Sequence, residues 1–216
     1  TTLLHTKVFQ RIPPANIQAI FMRMERVLYR AGEVVIQQGA DGDCFYAVVK
    51  GRCSVTRETP LNAKGIPLAE LGPGDSFGEE ALISESRRNA TVRMITDGAL
   101  VRLNKKDFAE LIQEPFLQWV EYREALKIIE RGGRWLDVRT PSEFQNMAIA
   151  GAMNTPLCLI RAKLGTLEAT TPYVVCCDTG ARSSAAAYIL LERGFDAHVL
   201  RGGLQRADVP MRRASP

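Results

Sequence analysis

The chain has 216 residues, with 28 Lys and Arg against 24 Asp and Glu for a net charge of +4, and 46% of its residues are hydrophobic. That length suggests one or two domains, and that composition belongs to a soluble globular protein with enough apolar material for real cores, which excludes disordered and collagen-like classes. The mild positive charge is not gathered into a Lys/Arg block, so no nucleic acid is expected as a partner, and no apolar run approaches the ~18 residues of a membrane span, so no membrane partner is expected either.

In chain order, Pro13-Pro14-Ala15-Asn16 opens a helix that places Ile17, Ile20, Phe21 and Met24 on one face. From Tyr29 to Leu103 the pattern becomes strand-like. Short apolar or alternating runs at 34–37, 44–49, 54–57, 68–71, 91–95 and 99–103 are separated by turn residues, many of them glycine. Many short strands at this spacing predict an all-β barrel or sandwich. Asn104 is a good N-cap for a helix over 105–113, and Trp119, Tyr122, Leu126 and Ile129 fall at helical spacing in a segment from Phe116 to Glu130 that ends at Gly132-Gly133. Beyond it, strands (135–138, 173–176, 198–200) alternate with helices (142–146, 182–193), which predicts βα units and a largely parallel sheet. The residues after Arg206 read as loosely ordered. The predicted domains are 1–120 and 121–208, with a tail at 209–216. No secretory pattern follows Thr1, so the cytoplasm is the expected compartment, and a start at Thr1 rather than Met leaves room for upstream sequence.

In the first region, Phe77-Gly78-Glu79-Glu80-Ala81-Leu82 is followed by Arg88-Asn89-Ala90-Thr91. A glycine allowing close backbone approach, a carboxylate able to accept from hydroxyls, a short helical turn with free N–H groups and a guanidinium suit a ligand with one phosphate and a free sugar hydroxyl. This Phe-Gly-Glu-x-Ala-Leu and Arg-x-Ala-Thr pair resembles the cassette of the cyclic nucleotide-binding domain family, and the resemblance runs from about Leu4 to Glu121. It implies a β barrel of the double-stranded β-helix or jelly-roll type with flanking helices, and cAMP or cGMP as ligand. It also implies that Glu79 takes the ribose 2′-hydroxyl, Arg88 takes the cyclic phosphate, and Gly78, Ala81, Leu82, Asn89 and Thr91 complete the site. Asn89 stands where the family often has Ala, Ser or Thr, which leaves cAMP and cGMP unseparated.

Cys44, Cys53, Cys158, Cys176 and Cys177 are odd in number and not at zinc spacing, so neither a disulfide framework nor a metal is expected, and at least one thiol is free. Cys177 has an address. It follows the apolar strand Tyr173–Cys176 and opens the run Asp178-Thr179-Gly180-Ala181-Arg182-Ser183 into an Ala-rich helix, where backbone N–H groups and a helix N-terminus favour a thiolate. Cys-x-x-Gly-x-Arg-Ser resembles the rhodanese family. Leu136-Asp137-Val138-Arg139 with Glu143-Phe144, Ile149-Ala150-Gly151-Ala152 and Leu200-Arg201-Gly202-Gly203-Leu204 extend the match from about Tyr122 to Gln205. The resemblance implies an open parallel sheet between helices and sulfur transfer through a Cys177 persulfide, from thiosulfate or another sulfane donor to a thiol acceptor. Cysteine phosphatases of this fold have a longer Cys-x5-Arg loop, whereas Cys177 to Arg182 is Cys-x4-Arg. The amides of Asp178 through Arg182 are expected to hold the sulfur, Arg182 to draw in an anionic donor, and Asp137 and Arg139 to brace the loop. Met147-Ala148-Ile149 departs from the family's Gly-His-Ile. His5 lies far from the loop, and His198, on an apolar strand, reads as structural.

The combined expectation is a cyclic nucleotide sensor fused to a sulfurtransferase, with no covalent cofactor and with a homodimer compatible. Phe116, Trp119 and Tyr122 are candidates for a segment that senses the base and moves the second domain. Two readings compete with it: a binding protein whose rhodanese domain only recognises partners, and a sulfurtransferase with a vestigial nucleotide site.

Overall fold

The computed structural model describes residues 7–206 and 209–213. The chain divides between Pro115 and Phe116 into two compact units. His5 and residues 207–208 and 214–216 lie outside the described residues.

In the first unit, α1 (Lys7–Gln10) precedes α2 (Pro14–Arg23), where proline sits in the first turn and its missing N–H costs nothing. Of the predicted apolar face only Ile20 is fully buried, and Phe21 stays 46% exposed. The chain leaves the helix at Met24, already extended, and enters β1 (Glu25–Tyr29). There follow β2 (Val34–Ile36), β3 (Cys44–Lys50), β4 (Cys53–Thr59), β5 (Asn62–Leu71), β6 (Ser76–Phe77), α3 (Glu79–Ile83), β7 (Thr91–Met94) and β8 (Gly98–Asn104). They form two four-stranded antiparallel sheets, ordered β1-β8-β3-β6 and β2-β7-β4-β5. Alternation sends Tyr46, Val48 and Leu100 of one sheet and Ile36, Cys53, Val92 and Met94 of the other into one shared core. This is the expected jelly roll. Asn104 caps α4 (Lys105–Phe108) by accepting from the Asp107 N–H at 2.9 Å, and the helix continues through a π-helical stretch, Ala109–Gln113, into α5 (Glu114–Phe116).

The second unit corrects the expected helix from Phe116 to Glu130. Trp119–Val120 is a strand, β9, and the helix α6 begins only at Tyr122 and runs to Glu130. An aromatic followed by a β-branched residue suits a strand, and the open edge of a later strand supplies its hydrogen bonds: the Val199 N–H donates to the Gln118 carbonyl and the Arg201 N–H to the Val120 carbonyl. Glu121 and Glu124 then close a capping box at the start of α6. The three aromatics proposed as a sensing segment each pack within the second unit. Phe116 packs edge-on against Tyr188 at 5.0 Å, Tyr122 stacks on Trp135 at 6.1 Å, and the Arg201 guanidinium lies 5.0 Å over the Trp119 ring.

After α6 come β10 (Arg134–Asp137), α7 (Pro141–Asn146), β11 (Ala148–Ile149), β12 (Met153–Asn154), α8 (Ile160–Lys163), β13 (Tyr173–Cys176), α9 (Ala181–Glu192), β14 (Ala197–Leu200), α10 (Gly203–Arg206) and β15 (Met211–Arg212). The sheet is five-stranded and parallel, ordered β12-β10-β13-β14-β9. Within the segment expected to be loosely ordered, Met211 and Arg212 pair antiparallel with Ile149 and Ala148. The central strand β13 is buried along its whole length, as is α9 from Ser183 to Leu191, so the turn joining them is anchored at both ends. His198, half-buried, pairs with Asp196 at 3.0 Å. Among the described residues no helix is long and apolar enough to cross a membrane.

Candidate functional site

In the first unit the site residues gather where β6 turns into α3. Gly78 occupies a left-handed conformation at φ 91°, and a Cβ there would lie 2.9 Å from Arg88 Nη1 and 3.0 Å from the Cys44 carbonyl oxygen, so only glycine fits. Arg88 is almost wholly buried. Its Nη1 donates to the Gly78 carbonyl at 2.7 Å, and its Nη2 donates to the Cys44 carbonyl at 2.7 Å and to Asp43 Oδ1 at 3.0 Å. Of the five guanidinium N–H groups, this leaves Nε–H and one on Nη1 without a partner among the described residues. Glu79, Ala81 and Leu82 are buried on the same short helix, whose first-turn amides have no acceptor within it.

Asn89 is exposed, with its side chain donating to Glu80 at 2.8 Å and its carbonyl accepting from Arg57 at 2.9 Å. The Thr91 hydroxyl accepts from the Gln38 N–H at 3.1 Å, which ties β7 to the end of β2. The sequence reading missed Asp43, whose carboxylate pairs with a guanidinium 45 positions away, and only the meeting of the two at the start of β3 reveals it.

In the second unit Cys177 follows the last residue of β13. Strand alternation separates it from its neighbour: Cys176 lies in the apolar core with Val120, Trp135, Val174 and Leu200, and burial pushes its thiol well above the ordinary range. Cys177 Sγ faces the loop instead. The Gly180 N–H donates to it at 3.2 Å and the Ser183 N–H at 3.3 Å, with Ser183 Oγ at 3.4 Å. The backbone N–H groups that reach Sγ are those of Gly180 and Ser183. Gly180, at φ 102°, turns its N–H back on the sulfur, whereas the Ala181 N–H points to Thr179 Oγ1 at 3.5 Å. Ser183 lies in the first turn of α9, where amides lack intrahelical acceptors. Ser183 and Ser184 hydroxyls both donate to the Gly180 carbonyl, at 3.1 and 2.6 Å, locking the turn.

The loop rests on a second backbone segment. The Leu204 N–H donates to the Cys177 carbonyl at 2.8 Å and the Gln205 N–H to the Asp178 carbonyl at 3.0 Å. Gly203, at φ 68°, comes so close that a Cβ would sit 2.2 Å from the Asp178 carbonyl oxygen. Gly203→Ala is accordingly expected to displace the loop and to lower stability by about 2–3 kcal/mol, from backbone overlap and left-handed strain together. Thermal unfolding of the variant beside the wild type checks this.

An ion-pair frame surrounds the loop. Arg139 forks onto Asp137, with Nη2 to Oδ2 at 2.6 Å, and donates to the Met147 carbonyl at 2.7 Å. Arg139 and Asp137, expected to brace the loop, pair with each other at the end of β10, and the Met147 carbonyl serves as an acceptor in a segment that lacks the family's histidine. Asn154 ties the same corner, donating to the Asp137 and Arg139 carbonyls at 3.0 Å each. Arg182, expected to draw in an anion, is held by carboxylates: Nη1 and Nη2 grip Glu143 at 2.9 and 2.8 Å, and Nη2 also meets Asp178 Oδ1 at 2.8 Å. Hydrogen bonds from Arg182 and then Thr140 lower the Glu143 carboxyl to about 2, so it is ionised at every physiological pH. Glu143 stood in the sequence only as part of a motif, since its pairing depends on α7 and the cysteine loop meeting in space.

The family model of the cyclic nucleotide-binding domain matches residues 26–115, and that of the rhodanese-like domain matches residues 121–207. Among curated proteins, the chain is 27% identical to a cAMP-dependent protein kinase regulatory subunit of Dictyostelium discoideum over 76% of this chain and 54% of that one. It is 32% identical to a cyclic AMP receptor protein of Thermus thermophilus, over 49% of each. A cyclic nucleotide-gated potassium channel of Mesorhizobium japonicum is 38% identical over 48% of this chain and 27% of the channel. The chain thus spans about half, or less, of the length of these relatives. Of solved structures, the regulatory domain of Toxoplasma gondii PKA with cAMP aligns at a TM-score of 0.51 and 24% identity, over 53% of this chain and 43% of that one, a likeness of fold.

Proposed function

Because the chain joins a cyclic nucleotide-binding domain at 26–115 to a rhodanese-like domain at 121–207, we propose that it is a sulfurtransferase whose rate responds to a cyclic nucleotide. The observation that carries the enzymatic half is a buried sulfur, Cys177 Sγ, receiving two backbone N–H groups from a locked turn. Such donors stabilise a thiolate and then a persulfide without reorganising. The thiolate attacks the outer sulfur of a sulfane donor, R–S–SH. A new S–S bond forms as the old one breaks, R–S⁻ leaves with the electron pair, and Cys177–S–SH remains for an acceptor thiolate to attack in the same way. Ser183, Gly180, Thr179 and Ala181 shape the loop around the sulfur.

In the first domain Arg88 meets the cyclic phosphate and Glu79 the ribose hydroxyl, with the backbone of Gly78, Ala81, Leu82 and Asn89 around them. The names of the relatives, a cAMP-dependent kinase subunit and a cyclic AMP receptor, favour cAMP as the ligand. One preparation tests both halves. After an alkyl persulfide or thiosulfate is added, intact mass is expected to show one extra sulfur, mapped to Cys177, and titration calorimetry is expected to show cAMP binding and a changed transfer rate at saturation. A folded protein that takes up no sulfur ends the enzymatic reading, and one that binds cAMP with no change in rate ends the regulatory one.

A further inference from the structure

Three carboxylates, Asp137, Glu143 and Asp178, hold the two guanidiniums beside the Cys177 loop, Arg139 and Arg182, and leave the frame with one net negative charge. The pairing is directed as well as counted. Arg182 spends both terminal nitrogens on Glu143 and Asp178, and the same Asp178 oxygen lies 4.0 Å from Arg139 Nε. Asp178 directly follows the sulfur-bearing residue, and its side chain is 32% exposed, as Glu143 is at 35% and Arg182 at 30%, so this frame meets solvent at the loop. In the adjoining segment, Arg201 is engaged with Glu121 and the Trp119 ring. A small dianion approaching Cys177 therefore meets bound-up guanidiniums and part-exposed carboxylates, and its own charge adds to that of the thiolate it must reach.

We propose that the Cys177 site takes sulfur from a persulfide whose carrier is uncharged or cationic beside the sulfur, and discriminates against small anionic donors such as thiosulfate. This rests on the sulfurtransferase reading above and assigns Asp178 and Glu143, acting through Arg182, as residues that set donor specificity. The transfer is balanced: Cys177–S⁻ and R–S–SH give Cys177–S–SH and R–S⁻, with no outside oxidant or reductant. Only the charge on R separates good donors from poor ones.

The test uses persulfides of cysteamine, 2-mercaptoethanol and 3-mercaptopropionate, which place an ammonium, a hydroxyl or a carboxylate near the sulfur, together with thiosulfate. In the full chain, kcat/KM is expected to fall in that order, with the ammonium donor at least ~10-fold above the carboxylate donor at low salt. Added salt is expected to slow the first and speed the third, because screening weakens attraction and repulsion alike. Asp178→Asn removes the carboxylate charge next to the sulfur-bearing residue, leaving Arg182 paired with Glu143, and is expected to shift the preference toward thiosulfate by ~5-fold or more. The salt series needs no variant, so the proposal stays testable if Asp178→Asn misfolds. A carboxylate donor or thiosulfate that outruns the ammonium donor, or salt effects of the same sign on both, overturns the proposal and leaves the sulfurtransferase reading standing. Absence of a Cys177 sulfur adduct from every donor overturns both.

Discussion

Cys177→Ala is expected to lower sulfur transfer by ~10⁴-fold or more, down to the background reaction of donor with acceptor, while leaving the fold intact. The size follows from what is lost. The persulfide route divides one difficult exchange into two attacks on divalent sulfur, and no other described cysteine can substitute for Cys177. Cys176 is fully buried with its thiol pushed well above the ordinary range, Cys53 is buried beside Met94 at 3.3 Å, and Cys44 is half-buried with its thiol also pushed up by burial. Cys158 is exposed, in a 3-10 turn, Leu157–Leu159, and no backbone N–H is seen donating to its sulfur among the described residues. The structural cost is small, because deleting one sulfur from a loop pinned by Gly203, Leu204 and Gln205 removes only two weak N–H···S contacts. Cys176→Ala is the matched comparison: a modest loss of stability from a small core cavity, with transfer retained. Steady-state transfer to cyanide or a thiol, alongside thermal melting of both variants, reads the contrast. A Cys177→Ala protein that keeps even a tenth of the wild-type rate would falsify the persulfide route.

The loop was legible in the sequence because its parts are contiguous: the apolar run 173–176, the thiol, a glycine-dependent turn and an Ala-rich helix all fall within 20 residues. The same holds for Gly78, Glu79 and Arg88. What stayed hidden depended on chain segments far apart. Trp119 has helical spacing with Tyr122, Leu126 and Ile129, and only the edge of β14, some 80 positions later, turns it into a strand. Met211 looked like tail until Ile149 paired with it. Both arginines were read as anion-binding groups, and Asp43 and Glu143 show that each already has protein partners. The consequences differ. Arg182 has both terminal nitrogens on carboxylates, whereas Arg88 spends two of its three bonds on backbone carbonyls and only one on a carboxylate that is itself 72% exposed. A neutral acceptor orients a guanidinium without cancelling its charge.

That difference sets the expectation for Arg88→Ala, a loss of cAMP affinity of about 100-fold or more by calorimetry. A guanidinium this deeply buried, held by the Gly78 and Cys44 carbonyls, is already oriented, so little order remains to be imposed when a phosphate arrives. Its removal takes away the charge and also leaves two part-buried carbonyls without this donor, so a fall in Tm accompanies the loss of binding. Arg88→Lys separates the effects. The ammonium keeps the charge but cannot bridge Gly78, Cys44 and Asp43 at once, so affinity is expected to fall by only ~10-fold. Ligand-induced stabilisation supplies a second readout: saturating cAMP should raise the wild-type Tm and leave that of Arg88→Ala unmoved. If Arg88→Ala is folded and its Tm still rises with cAMP as the wild type does, the phosphate is held elsewhere, and the buried guanidinium serves only to tie β3 to the turn at Gly78.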